Sequence, residues 1–486
     1  MSEQVINGLK PEILWKRFYE ITKVPRPSKK EEKILKHFKD LFTALKVPFK
    51  QDKARNIIAY VTATKGYEKA PVVILQGHVD MVCEKNKSTI HDFDNDALKL
   101  KKVDGWIAAE GTTLGSDNGI GIAAAAAIIS DKDAMHGPIE ILLTVDEETG
   151  LTGANELDPG LLSGKILLNL DSEEDGTFYV GCAGGIDTEG IFRLEFENTP
   201  TGYDAFELMI TGLKGGHSGS DINTGRANAI KLLARTLIEL DAVEYKLGSI
   251  TGGSKRNAIP READALIFIK TPVVSQAEKL VKAFEEKLIS EFKTSDGGLK
   301  VEFKKIFSGA GKVITEEFRK KIINTLMAIP HGVISMSQDI PDLVETSTNL
   351  ATVTFDKNIL TIGTSQRSSV ESAKDYIVQS VTSVLALAEV KIKSADGYPG
   401  WKPNIDSEIL DISKKVYLDL FKSEPEIKAI HAGLECGLLG DKIEGLDMIS
   451  FGPTITGAHS PDEMVKIETV DKFYELLKGI LKKIAA

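Results

Sequence analysis

"PIEILLTVDEE", residues 138–148, joins a continuous apolar run directly to three carboxylates. The run is short and rich in isoleucine and leucine, so it reads as a buried strand rather than a helix. Alone, Asp146, Glu147 and Glu148 could be no more than a solvated turn, since the chain holds 71 acidic residues among 486. The neighbouring segments have to decide.

Outward from that stretch the pattern recurs. "APVVILQGHVD" (70–80) and "GKILLNLDSEE" (164–174) are further apolar runs that end in His, Asp or Glu, and "LDMISFGPT" (446–454) looks like one more strand of the same kind. Between the first two lies an alanine-rich helix, "IGIAAAAAII" (120–129). Apolar runs alternating with helices predict an α/β fold with a mostly parallel sheet covered by helices on both faces. From about 187 to 396 the character changes to alternating strands such as "FELMITGL" and "ALIFIK" and helices such as "ANAIKLLARTLIEL". Two halves of this region each offer strand, helix and strand, which suggests a duplication. The expected organisation is a discontinuous first domain, 1–186 with 397–486, and an inserted α+β domain over 187–396. Glycine-rich "CAGGIDTEG" (182–190) and "DGYPGWKP" (396–403) are the expected hinges.

Composition narrows the class. Apolar residues at 42% and charged residues at 27% suit a soluble globular enzyme. A net charge of −11 argues against nucleic acid or an anionic membrane as partner. No signal peptide is apparent, and the apolar helix is too short to span a bilayer. Cys83, Cys182 and Cys436 are dispersed and form no CxxC pair, which fits a reducing cytoplasm.

In open α/β sheets, ligands bind beyond the carboxyl ends of the strands. His78 and Asp80, two apart, share one side of a strand. Asp117 sits in the glycine-bounded "TLGSDNGIG", Glu147 and Glu148 follow "LLTVD", Asp171 follows "ILLNL", and His459 lies in "GPTITGAHSPDE". Such imidazoles and carboxylates without cysteine suit zinc, manganese or cobalt. They are too many for one tetrahedral ion; a two-metal site bridged by a carboxylate uses them well. Of adjacent Glu147 and Glu148, one can bind metal while the other faces the water. HExxH, GxSxG, Walker and GxGxxG motifs are absent. "IHDFD" (90–94), with His91, Asp92 and Asp94, follows no strong strand and reads as a surface loop. His37, His136 and His331 read as structural or solvated, and Cys83 and Cys436 as packing residues.

At these residues the chain resembles the zinc aminoacyl-histidine dipeptidases of the PepD type. They belong to a di-zinc metallopeptidase family that also contains aminoacylases, carnosinases and glutamate carboxypeptidases. The resemblance is carried by "QGHVDMV", "GTTLGSDNGIG", "DEETG", "NLDSEE", "GCAGGID", "LKGGHSG", "RNAIPRE", "YPGW", "HAGLECG" and "GPTITGAHSPDE", nearly the whole chain. It implies hydrolysis of dipeptides with free termini, two zinc ions per subunit, and a lid made by the inserted domain, which also joins a homodimer. It also implies that His78 and Asp171 hold one metal, Glu148 and His459 the other, and that Asp117 bridges both. Asp80 would orient His78, and Glu147 would be the general base. His217 would stabilise the oxyanion, with Asn257, Arg367 and Gly433 contacting substrate. A cis peptide after Asp117 is a further expectation of the resemblance.

Overall fold

The computed structural model describes residues 3–307 and 311–486. It divides into two compact units. The first runs to Gly181 and resumes over Pro403–Ala429 and Leu434–Ala486; the second is Cys182–Lys402 with Ile430–Gly433.

The sheet of the first unit runs, in spatial order, Phe49–Gln51, Ile57–Val61, Ile139–Thr144, Val73–His78, Ile166–Asn169, Asp447–Ser450, Thr177–Cys182, Glu426–Ile430. Ile139–Thr144, Val73–His78, Ile166–Asn169 and Asp447–Ser450 are parallel neighbours. On either side of them the pairing turns antiparallel, so the sheet is parallel only at its centre. Val73–His78 and Ile139–Thr144 are buried at every position, as strands covered on both faces must be. This is why they read as mainly apolar runs without polar alternation.

Leaving Val73–His78, the chain passes to the neighbour on one side, Ile139–Thr144, and then to the neighbour on the other, Ile166–Asn169. That reversal is the topological switch point at which such sheets bind ligands. Helix Ser116–Ile128 packs on Val73–His78, and its alanines let it come close. A Cβ added at Gly121 would lie 2.2 Å from the Leu170 carbonyl oxygen.

The second unit is an antiparallel sheet ordered Lys300–Ile306, Tyr203–Thr211, Ala263–Lys270, Tyr245–Gly252, Val344–Asp356, Ile359–Ser368, Gly184–Arg193, Lys391–Ser394. Tyr245–Gly252 and Val344–Asp356 meet only at Gly252 and Val353. Outward from that thin seam both halves repeat one order: two long adjacent strands lead into a helix, Val274–Glu291 or Glu371–Leu387, and then an edge strand. Val274–Glu291 buries Val281, Phe284 and Leu288 on one half, and Glu371–Leu387 buries Val381 and Leu385 on the other.

The unit boundaries differ from the sequence expectation. The glycine-rich stretches expected as hinges lie at the unit boundaries, and they pair with each other. Cys182 and Trp401 exchange backbone hydrogen bonds of 2.9 Å in both directions, and Gly185 and Tyr398 exchange bonds of 3.0 and 2.9 Å. Residues 182–185 and 398–401 are therefore zipped together and belong to the second unit. The Ala183 N–H donates to Ile430 O and Ala432 O, which draws 430–433 out of the first unit as well.

Candidate functional site

The strand ends at the switch point gather the acids and imidazoles of the first unit. His78 closes its strand opposite Thr144. Asp146 turns the chain through a left-handed φ of 51°, and Glu147 and Glu148 follow it into a short helix. Asp171 lies two residues beyond its strand, and His459 enters on a loop with its own left-handed φ of 62°. His78 Nε2 is 3.0 Å from Asp117 Oδ1 and 3.3 Å from Asp171 Oδ1. His459 Nε2 is 3.1 Å from Asp117 Oδ2 and 3.0 Å from Glu148 Oε2. The two oxygens of Asp117 thus face two different imidazoles, and each imidazole has a second carboxylate of its own. The Asp117–Asn118 peptide is cis.

These donors fit metal ions. Ligand atoms of His78, Asp117 and Asp171 lie within 4.8 Å of one another, as do those of Asp117, Glu148 and His459. Glu148 Oε1 and Asp171 Oδ1 are buried and make no hydrogen bond; the 3.3 Å approach of Asp171 to His78 lacks hydrogen-bond geometry. His459 is pushed up to about 11 by its hydrogen bonds to Asp117 and Glu148. Burial would lower His78, but Asp171 and the hydrogen bond to Asp117 override it and hold it well above the usual range. Both imidazoles sit where positive charge is strongly favoured, the electrostatic demand that a bound cation meets.

Glu147 is half-buried, and its ligand atoms also group with those of His78 and Glu148. Burial, then the charges of Asp171, Glu435 and Glu148, raise its proton affinity well above that of an ordinary glutamate. Asp80 is fully buried, 3.4 Å from His78 Nδ1. It also accepts the Ser28 hydroxyl at 2.7 Å and the backbone N–H groups of Glu147 and Glu148 at 3.0 and 3.2 Å. It therefore holds the glutamate turn and stands close to the histidine, whose Nδ1 makes no hydrogen bond. Asp146 has a purely local task, accepting the hydroxyls of Thr149 and Thr152.

Sequence reasoning missed a polar layer beneath the site. Glu435, in "HAGLECG", is buried and accepts Gln76 Nε2 at 2.6 Å and Thr144 Oγ1 at 2.8 Å. Asn169 donates to Gln76 Oε1, and Ser450 to Asn169. One hydrogen-bonded row thus crosses the four central strands. The signal available was polar residues inside otherwise apolar runs: Gln76, Thr144, Asn169 and Ser450. His91 packs against Phe93, and Asp94 pairs with Lys30; neither joins a metal-capable group among the described residues.

The remaining predicted residues lie in the second unit. His217 is in a two-residue strand paired with Ala258–Ile259. Its Nδ1 accepts the N–H groups of Gly219 and Ser220 at 3.2 and 3.3 Å, which leaves the proton on Nε2. Burial, then the Arg367 charge, lowers its pKa, so it is a neutral Nε2–H donor. His217 and exposed Asn257 line a cavity of about 940 Å³ whose lining does not include Arg367 or Gly433. Arg367 is buried, donates to the Tyr398 hydroxyl at 3.0 Å, and has no hydrogen bond at Nε. Among the described residues no carboxylate forms an ion pair with it. A Cβ on Gly433 would lie 2.8 Å from the Tyr398 ring. His431, pulled down to about 3 by burial and then by Arg367, meets Ser347 Oγ at 2.7 Å. A buried guanidinium without a carboxylate partner has donors that an anion could satisfy.

Residues 74–483 match the family described as "Peptidase family M20/M25/M40". The chain is 41% identical over 488 aligned residues to the cytosol non-specific dipeptidase of Escherichia coli K12, covering 100% of both. It is 40% identical to the crystal structure of the aminoacylhistidine dipeptidase of Vibrio alginolyticus, covering 99% of each chain, with a TM-score of 0.92. The aminopeptidase PepT of Bacillus cereus shares the fold, at 17% identity, a TM-score of 0.57, and coverage of 98% of this chain and 100% of that one.

Proposed function

The chain belongs to peptidase family M20/M25/M40, and from that premise we propose that it is a cytoplasmic dipeptidase that uses two metal ions. The observation that carries the reading is Asp117, whose two oxygens each face a separate imidazole–carboxylate pair. His78 and Asp171 would hold one ion, Glu148 and His459 the other, and Asp117 both. Zinc suits this donor set; manganese and cobalt would be accepted too. Once bound, the ions supply the acidity of the attacking water and Lewis-acid polarisation of the scissile carbonyl.

Glu147 takes the proton of the attacking water. Its raised proton affinity suits a base that must later act as an acid and return the proton to the leaving amine. Asp80 keeps His78 and the Glu147–Glu148 turn in register. His217 would donate Nε2–H to the developing oxyanion, and Arg367 would take the substrate's terminal carboxylate. Asn257 and Gly433 would contact the peptide backbone. The second unit acts in this reading as the lid and the surface of a homodimer. The cytosolic and aminoacylhistidine names of the two similar dipeptidases support the location and a substrate range that includes aminoacyl-histidine dipeptides. No helix of the described residues is long and apolar enough to cross a membrane.

The test is to strip the metal, restore zinc, and follow amine release from alanyl-histidine and from its N-acetylated form. Metal-dependent cleavage of the free dipeptide alone is expected. Cleavage of the acetylated form alone would instead make the chain an N-acyl-amino-acid hydrolase; cleavage of neither, with zinc bound, would reopen the substrate class, a tripeptidase included, and give a non-catalytic metal-binding scaffold its support.

A further inference from the structure

The loop that carries His459 ends in Glu463, which is buried. This loop is built to hold its shape. Gly457 has a φ of +67°, and a Cβ there would lie 2.7 Å from Asp462 O. The Glu463 N–H donates to Ser460 O at 3.1 Å, and the following strand Met464–Lys466 pairs with Trp106–Ala109.

The Glu463 carboxylate is surrounded by donors from a single turn. Leu114 N–H and Gly115 N–H donate to Oε2 at 2.8 and 2.9 Å. Ser116 N–H, Ser116 Oγ–H and Asp117 N–H donate to Oε1 at 2.7, 2.6 and 3.3 Å. Four consecutive backbone amides at the start of helix Ser116–Ile128 therefore converge on one carboxylate. The same turn is held through its carbonyls by Arg26, itself buried, which donates to Gly115 O and also to Val79 O at 3.0 Å.

An aspartate in the first turn of a helix ordinarily spends its oxygens on nearby backbone N–H groups. Here Asp117 and Asn118 have non-helical backbone at the helix start, and the amides from Leu114 to Asp117 are already taken by Glu463. Both Asp117 oxygens are left to face His78 and His459. We propose that Glu463 is a positioning residue for the metal pair. By occupying the amides that precede and include Asp117, it keeps both Asp117 oxygens available to the two ions. Because Glu463 and His459 share one short loop, the same contact sets His459 against Asp117. The proposal rests on the two-metal reading above.

The test uses zinc alone. Apo wild-type protein, E463Q and S116A are titrated with zinc against a chromophoric chelator, and the unfolding midpoint of each apo form is measured alongside. In E463Q the amide NH2 faces Leu114 and Gly115 N–H, so half the cradle is lost. Zinc affinity should fall on the order of 10–100-fold, with kcat recovering toward wild type as zinc is raised. S116A removes one of the five donors and should weaken zinc a few-fold. A lowered unfolding midpoint with wild-type zinc affinity in E463Q would assign Glu463 a structural role only and overturn the proposal. If E463Q does not fold, unchanged zinc affinity in S116A does so. A wild-type chain that binds fewer than two zinc ions overturns the two-metal reading itself, and this proposal with it.

Discussion

Replacing Asp80 by asparagine probes the site at its most connected point. Oδ1 of Asp80 faces the Glu147 N–H at 3.0 Å and His78 Nδ1 at 3.4 Å. Oδ2 accepts the Ser28 hydroxyl at 2.7 Å and the Glu148 N–H at 3.2 Å. An asparagine keeps one oxygen. Its cheaper orientation turns the NH2 toward Ser28, whose hydroxyl can reverse and accept. The Glu148 N–H then faces a donor in place of a carboxylate oxygen. A hydrogen bond to a charged group contributes about 1.5–3 kcal/mol, so kcat should fall roughly 10–150-fold. Glu148 is also a proposed ligand, so zinc affinity should fall with it. S28A keeps the carboxylate and both of its backbone N–H bonds, so it should lose less in kcat than D80N. The assay is steady-state turnover of alanyl-histidine at saturating zinc, beside a zinc titration. A D80N enzyme within threefold of wild type in kcat, or an S28A enzyme as impaired as D80N, would refute the idea that Asp80 fixes both His78 and the glutamate turn.

Glu147→Ala should retain both zinc ions yet lose on the order of 10²–10⁴-fold in kcat; metal analysis beside turnover checks it, and loss of a zinc ion would make Glu147 a ligand instead. Arg367→Met should raise KM for a free dipeptide roughly 10–100-fold, one charge-assisted contact's worth, and leave hydrolysis of the dipeptide amide nearly unchanged; equal effects on both substrates would remove the carboxylate from its role. His431 has its folded pKa lowered from 6.5 to about 3, so its neutral form is favoured in the native state. The stability this contributes is present above pH 6.5 and is lost as pH falls from there toward 3, about 2 kcal/mol between pH 7.5 and 5. Urea unfolding at those two pH values should show that extra loss in wild type and not in H431Q; parallel losses would mean that His431 is protonated in the native state.

The central strands were legible because burial on both faces demands mainly apolar runs, and because the residues just past each run fall on one sheet edge. His78, Glu147, Glu148 and Asp171 follow such runs, whereas Asp117 and His459 stood out by the glycine-bounded loops that carry them. The antiparallel margins were not legible, because short strands such as Phe49–Gln51 carry no long apolar run. The unit boundaries lie a few residues outside the expected ones, with 430–433 added to the second unit. Glycines at 184, 185, 397 and 400 suggested freedom, but here they allow close approach: a Cβ at Gly184 would lie 2.5 Å from the Gly400 nitrogen. Arg26, Glu435 and Glu463 escaped notice because a buried charge is recognised by its partners. Those of Glu463 lie nearly 350 positions away in sequence.

Choosing the base depends on geometry that no sequence pattern supplies. Several acids of the first unit have a raised proton affinity: Glu147, Asp171 at about 6, Glu173 at about 8 and Glu435 at about 7, each chiefly through burial. Asp171 approaches His78 and groups with Asp117 as a ligand. Glu435 is buried, with one oxygen held by Gln76 and Thr144, so an exchanging water cannot readily reach it. Glu173 belongs to no metal-capable group among the described residues. Glu147 alone of these combines partial exposure with ligand atoms beside His78 and Glu148, and its own N–H is anchored on Asp80. Glu148, 3.0 Å from His459, is committed to the ligand position. A base must be near the metals, reachable by water and not itself consumed as a ligand; Glu147 is the acid we propose for that part, and the metal content of Glu147→Ala decides between base and ligand.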